Sequence, residues 1–412
     1  MKKLTIIALV VAVTAVFAVQ ATANEWSLYG NARMATFYTS EDLGLELGRR
    51  GSGPPFQFFT VDNRNAANQN KEKNTIWELN TVSQIGANIK GDRLEARFEF
   101  GVTSDGSGGN VSSRRLYAIW KFAEGWGLKV GKDDTPILFG LSNQVFDNDS
   151  NLWRLGNAWG GRQAQIAVQG ELGPGMLKVA LIDQTTNTLN TPNGVVEKLL
   201  PKLEASYQYY FTDAMSAHAF GGYQTYDVKY PGAFGLGTDD FSVDSWVVGA
   251  GAVLNFGSFY VKPQVSYYQN GAAADWLGSV YLPSSKSGLV DEFNSSFGTD
   301  LQLVGSDGVI DAKNLMAMLA LGFKPTESLV FEAGVGYVGY ETDSYQGVSI
   351  KNNYLEYYLQ AVFTLAKGVY IVPEVGYRDF GKAKIDTPFY IIVPDVDLGS
   401  LFYAGAKWQI DF

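Results

Sequence analysis

A single histidine, His218, and no cysteine bound what the side chains of this chain can do. One imidazole and no thiolate rule out most zinc and iron–sulfur ligand sets. A hydrolytic triad needs a histidine beside Ser or Asp, and no motif around His218 supplies that context. Asp147-Asn148-Asp149 has the opening of a calcium loop, but the glycine and the distal glutamate at the required spacing are missing, so a solvated acidic patch fits better. Gly106–Asn110 is a flexible glycine-rich stretch without the Lys-Ser/Thr and helix of a phosphate cradle. No catalytic residue, metal ligand or cofactor site is therefore expected. What the sequence offers instead is charge at alternate positions. Arg33, Arg97, Arg115, Lys262 and Lys407 fall on the polar side of alternating segments, as do Glu78, Glu95, Glu99, Glu204, Glu332, Glu356 and Glu374. At that spacing such groups share one wet face of a sheet. The plainer reading is that they pair across strands and stiffen the wall, at about 0.2–1 kcal/mol each. His218 shares its side with Ser216 and Gln224 and is expected to face lumen water.

The elements that would carry these groups are strands. In Leu401 to Phe412, the residues Phe402, Ala404, Ala406, Trp408, Ile410 and Phe412 form an apolar face, while Tyr403, Gly405, Lys407, Gln409 and Asp411 form the other. Period-two alternation means a strand with one greasy and one wet face. The start of the chain is different. Lys2 and Lys3 precede an apolar run from Leu4 to Val19, and Ala21-Thr22-Ala23 is a small-x-small cleavage site. Residues 1–23 read as a secretory signal peptide and 24–412 as one domain.

Beyond the leader no apolar run is long enough for a membrane helix. Aromatics nevertheless reach 14%, with 46 Gly, only 18% charged residues and a mean hydropathy of −0.06. That mixture suits a barrel greasy outside and wet inside, with a large soluble β-protein as the competing class. Loss of the two leader lysines takes the formal net charge from −10 to −12, which argues against nucleic acid as a partner.

Alternating segments recur to the end of the chain, and short connectors take turns with long ones. The expected strands are about Trp26–Tyr38, Thr75–Lys90, Leu94–Val102, Arg114–Phe122, Leu128–Lys132, Gln163–Gly170, Met176–Asp183, Pro201–Phe211, Met215–Tyr226, Val243–Phe256, Phe259–Gln269, Leu315–Lys324, Leu329–Tyr340, Tyr354–Thr364, Val369–Phe380 and Leu401–Phe412. Sixteen strands, seven short turns and eight long loops put both ends of the barrel on the short-turn side, so the first strand can pair with the last and leave no edge. A miscounted hairpin would give fourteen or eighteen. The longest loop, about Asn270 to Ala312, has room for a short helix near Leu289 to Phe293. The third long connector, Asp133 to Gly160, mixes Ile137, Leu138, Phe139, Val145, Phe146, Leu152 and Trp153 with Asp133, Asp134, Asp147 and Asp149. Folded against the inner wall it would bury those apolar groups; the alternative is a cap on the barrel rim.

Several stretches resemble Gram-negative general porins. SLYGNARMATFY (27–38) looks like their opening strand, with its LYG motif; SQIGANIKGDRLEARFEF (83–100) resembles their second hairpin; RRLYAIWKF and GLKVGKDDTP (114–122 and 127–136) resemble the hairpin that leads into the pore loop; and KWQIDF ends the chain on the aromatic residue that barrel assembly reads. The chain departs from the pattern in lacking the glycine-rich motif of the enterobacterial third loop. The resemblance implies an all-β, transmembrane, antiparallel up-and-down barrel in the outer membrane, a homotrimer in contact with outer-membrane lipid. It implies that acids of the third loop (Asp133, Asp134, Asp147, Asp149) narrow the pore opposite wall residues such as Arg33, Arg97, Arg115, Glu95 and Glu99.

Passive diffusion of ions and small hydrophilic solutes is the leading expectation. A substrate-selective channel is the second, with Tyr210 and Tyr403 as members of an aromatic track. A barrel hydrolase built on His218 is the third. Because carboxylates outnumber cations on the expected lumen side and Asp and Glu ionise in water at neutral pH, a moderate cation preference is expected, centred on the four third-loop aspartates.

Overall fold

Side-chain exposure in this protein runs opposite to that of a soluble domain. Leu28 and Trp77 are 80% and 76% exposed, whereas Glu204, Glu332, Glu356, Glu374 and Lys202 are buried. Large apolar groups on the outside of a closed sheet need lipid around them; transferring one fully out of water is worth about 1.5–3 kcal/mol. The computed structural model describes residues 25–43, 46–50, 57–61, 71–102, 111–153, 155–186, 195–229, 241–276, 304–305, 308–309, 311–344, 349–386 and 395–412.

Sixteen antiparallel strands close into one barrel. They are β1 (Glu25–Leu43), β2 (Lys71–Leu79 and Gln84–Lys90), β3 (Leu94–Val102), β4 (Val111–Ala123), β5 (Trp126–Asp134), β6 (Arg162–Leu172), β7 (Gly175–Ile182), β8 (Val195–Glu197 and Lys202–Thr212), β9 (Met215–Lys229), β10 (Phe241–Phe256), β11 (Phe259–Gln269), β12 (Ala312–Thr326), β13 (Leu329–Thr342), β14 (Ser349–Ala366), β15 (Val369–Asp386) and β16 (Val396–Asp411). Each pairs with the next, and β1 pairs with β16 from Asn31↔Asp411 to Leu43↔Gly399. No edge is left for the hydrocarbon to meet. The strand count, the hairpin order and the short-turn ends agree with the sequence reading. Most strands extend further toward the long loops than expected, β15 to Asp386 and β14 back to Ser349, because ladder hydrogen bonds continue past the apolar belt into water.

Among the irregularities of the described strands are three on strands that carry inward site residues. β2 was expected to run unbroken, but it is interrupted at Asn80–Ser83, where the Val82 N–H donates to Asn80 Oδ1 (2.9 Å) and the Arg33 N–H to Ser83 Oγ (3.0 Å). β8 breaks before Pro201, which has no N–H for the ladder. In β4, Arg115 pairs with Glu99 while Ser113 pairs with Phe100, so Arg114 is an extra, bulged residue. The expected helix near Leu289 to Phe293 and the Gly106–Asn110 stretch lie outside the described residues.

Candidate functional site: the third loop and the lumen wall

The loop 135–161 enters the lumen and crosses to the far wall. Its backbone polar groups would be unsatisfied there without partners, and inward carboxylates supply them. The Ile137 N–H donates to Glu204 (3.3 Å), Asn143 N–H to Glu332 (2.7 Å), and Val145 and Phe146 N–H to the two oxygens of Glu374 (2.7 and 3.0 Å). Gln144 Nε2 donates to Glu356 and to Tyr403 Oη (2.9 Å). Ser142 Oγ shares a hydrogen bond with Tyr358 Oη at 2.7 Å. Apolar packing follows the same path: Ile137, Leu141, Val145, Phe146 and Leu152 are buried. Phe146 stacks on Tyr403 with centroids 3.8 Å apart, and Phe139 on His218 at 3.6 Å.

The tip turns through left-handed backbone at Asp147, Asn148 and Asp149 (φ 56°, 60° and 54°), a conformation that Asn and Asp tolerate best among residues with a Cβ. Ion pairs and one backbone donor hold it. Asp149 binds Arg33 (2.5 Å) and Lys407 (3.1 Å), Asp147 binds Arg378 (3.0 Å), and Asn148 Oδ1 accepts the Thr81 N–H (2.8 Å) freed by the break in β2. On the return leg Gly156 (φ 122°) lies against the backbone of Ala317 and Gly336, a contact with no room for a Cβ. A second inward segment, 270–276, meets the base of the loop. Trp276 is fully buried and its Nε1 donates to Glu204 (2.8 Å), while Lys202 Nζ and Gln224 Nε2 each donate to carbonyls of this turn at 3.1 Å.

These bonds run from β8 round to β16, β1 and the break in β2. The opposite arc, β3 to β7, carries a different network. Glu99 is fully buried and accepts from Tyr29 Oη (2.9 Å), Arg97 Nη2 (2.7 Å), Arg114 Nε (2.8 Å) and Arg115 Nη1 (2.7 Å). Arg115 also reaches Asp133 (3.1 Å) and Asp134. Lys129 pairs with Asp133 (2.5 Å), and Arg162 with Asp134 (3.3 Å) while lying over the Trp159 ring.

The structure redistributes the expected site residues. Asp147 and Asp149 form the loop tip. Asp133 and Asp134 instead end β5 and belong to the wall network, because the ladder with β6 continues through Asp133↔Gln163 and Asp134↔Arg162. Arg33, Arg97, Arg115 and Glu99 face inward as alternation requires. Glu95 sits near the short-turn end, paired with Lys121 at 2.6 Å and away from the loop. His218 faces inward but not into water: Phe139 covers it and its Nε2 bonds Gln264 (3.2 Å). Tyr403 is buried under Phe146 and does not line an open track. Arg378, Lys129, Lys178 and Lys202 were absent from the expected set although each shares the parity of inward neighbours. Arg114 is different, since parity places it outside and only the bulge turns it inward.

Neither protein-family models nor curated proteins give a match to this chain. Solved structures do. The outer membrane channel DcaP of Acinetobacter baumannii is similar over 95% of this chain and 99% of its own, at 15% identity and a TM-score of 0.63. The anion-selective porin from Comamonas acidovorans is similar over 95% and 100%, at 13% identity and 0.55. OmpT, an outer membrane protein of Vibrio cholerae, in its trimer form is similar over 94% and 99%, at 14% identity and 0.53. With its closed sixteen-strand barrel, its alternating short and long connectors and its inserted third loop, the chain has the fold of the Gram-negative outer-membrane porins.

Proposed function

We propose that this protein is an outer-membrane porin, a water-filled channel for passive diffusion of ions and small hydrophilic solutes. The observation that carries this reading is the loop 135–161, drawn into the lumen of a sixteen-strand barrel and fixed to inward carboxylates of its wall; barrels of that strand number are wide enough for an aqueous channel. Single-channel conductance of the purified protein in a planar bilayer tests it, with liposome swelling in a series of neutral sugars to read the size limit. Absence of any conductance from folded protein would overturn it.

The reading includes export through a cleaved leader, residues 1–23, leaving a barrel domain from Asn24. N-terminal sequencing of the membrane fraction checks this, and recovery of Met1 would refute it. It also includes assembly as a homotrimer in outer-membrane lipid, supported by the trimeric form of one similar structure and checked by cross-linking before and after heating. The hydrolase alternative finds no support at His218, whose partners are Gln264 and Phe139, with neither a Ser hydroxyl nor an Asp carboxylate bonded to it among the described residues. A lipid and peptide hydrolysis assay would decide that point. The expected cation preference rested on four aspartates. Asp133, Asp134 and Asp149 are enclosed in ion pairs; Asp147 alone, 39% exposed, still offers charge to the lumen. The proposal therefore does not include it.

A further inference from the structure

We infer that Pro263 and Pro373 are positioning residues of the pore. Each opens the barrel ladder beside a side chain that holds the third loop, and the two gaps are seams at which wall and loop move together. This deepens the channel reading and rests on it.

Proline is out of place inside a sheet, because it has no N–H for the ladder. In a lipid-facing wall the omission costs more, since no water reaches the hydrocarbon to replace the lost bond. The chain nevertheless has one proline inside β11 and another inside β15. The next residues, Gln264 and Glu374, are buried on the inward side, so alternation turns both proline rings outward. The two gaps have the same form. On β10–β11 the pairing runs through Ala250↔Val265 and Gly251↔Gln264 and resumes at Leu254↔Val261 in the same register. The rungs of Ala252 with Pro263 and Val253 with Lys262 drop out between them. On β14–β15 it runs through Leu359↔Val375 and Gln360↔Glu374 and resumes at Phe363↔Ile371, again unshifted. Here the rungs of Ala361 with Pro373 and Val362 with Val372 drop out. On the far side of each proline the ladder is continuous, through Pro263↔Leu319 and Pro373↔Ala406. Each proline therefore loosens one seam and leaves its strand attached to the other neighbour.

The last pair before each gap carries the loop. At β14–β15 this pair is Gln360 and Glu374. Glu374 accepts the Val145 and Phe146 N–H groups, and Gln360 Nε2 donates to the Asn143 carbonyl (2.9 Å). At β10–β11 it is Gly251 and Gln264. Gln264 Nε2 donates to Asn157 Oδ1 (3.3 Å) on the return leg of the loop, and Gln264 Oε1 is bonded to His218 Nε2. The His218 ring lies over Gly251, where a Cβ would come within 2.7 Å of it, and Phe139 of the outgoing leg stacks on that ring. The inward side chains within the gaps, Val253 and Val362, pack against the same buried cluster as Leu141, Val145 and Phe146. Both legs of the loop and the approach to its tip are thus fastened next to a missing rung. Backbone with fewer ladder bonds opens at lower free energy than the sheet around it, so a tether fixed there shifts without breaking the rest of the ladder.

Pro263→Ala and Pro373→Ala each return an N–H to the ladder and leave the inward side chains as they are, so both variants should still give a heat-modifiable barrel. The chain has no cysteine. Asp147→Cys at the loop tip therefore supplies a single thiol, whose modification by a charged methanethiosulfonate reagent is read as a step in single-channel current. Remaking one hydrogen bond shifts a local opening equilibrium about fivefold. Deuterium exchange of the facing segments, 250–254 for Pro263→Ala and 359–363 for Pro373→Ala, should slow by about that factor. The tip thiol should react about fivefold more slowly in Pro373→Ala than with Pro373 in place, and the open-channel current should be quieter in both variants. Pro325→Ala, at the end of β12, should change none of these. Slower exchange with the thiol rate and the current noise at their starting values would mean that the prolines shape the wall alone, and would overturn the seams. Unchanged exchange in both variants would overturn the missing rungs on which they rest. Folded wild-type protein without conductance would instead overturn the channel reading itself.

Discussion

Arg115 is the residue on which the charged arc depends. One guanidinium joins Glu99, Asp133 and Asp134, three carboxylates from two places in the chain. Removing it leaves Glu99 buried with less compensation and leaves the adjacent Asp133 and Asp134 to Lys129 and Arg162 alone. Breaking a buried ion pair costs about 3–5 kcal/mol, and the nearby lumen water should place Arg115→Gln near the lower end, about 3 kcal/mol. The shift in the urea midpoint of the refolded barrel measures it, and an unmoved midpoint would show that Arg115 is dispensable to the wall. Arg115 was legible in the sequence from alternation. Its neighbour Arg114 was not, because a bulge is a mismatch between two strands and leaves no mark in the period of either one.

At the scale of elements, the third loop is held by carboxylates that accept main-chain donors. Glu374 receives two, from Val145 and Phe146. In Glu374→Gln one acceptor becomes a donor and faces an N–H, leaving a buried donor unsatisfied at about 1–3 kcal/mol. The tip should loosen, with larger and noisier open-channel current and a barrel that still shifts its electrophoretic mobility on heating; a wild-type current trace would count against the tether. Glu204 joins two inward segments, the base of the third loop through Ile137 and the 270–276 turn through Trp276. Trp276→Ala should therefore widen the passage beside β8 and raise the sugar size limit in liposome swelling. An unchanged limit would mean that the Trp276 segment packs the wall without narrowing the channel.

The whole molecule depends on closure. The last residue takes part directly: Gly30 N–H donates to the Phe412 carbonyl (2.8 Å) and Phe412 N–H to the Gly30 carbonyl (3.0 Å), with the aromatic ring on the lipid side. Deleting Phe412 removes both bonds of the final closing pair and the terminal aromatic. The truncated chain should be synthesised normally yet reach the outer membrane as heat-modifiable protein at a much lower level. Quantitative fractionation checks this, and normal recovery would separate Phe412 from assembly.

Alternation every second residue is a local property, so the sequence by itself determined the strands, their inward and outward faces and the sixteen-strand closure. The short connectors between alternating segments marked the hairpins in the same local way. The apolar content of 135–161 announced that this loop would be buried. Where it would lie, and which charges would remain free, came from contacts such as Asn143 with Glu332, 189 residues apart, or Asp149 with Arg33, 116 apart. A count of carboxylates along the chain suggested a cation-preferring pore. Tertiary structure placed most of those carboxylates under the loop or against arginines. Parity says which side of the wall a charge occupies; only the folded barrel decides whether a loop covers it.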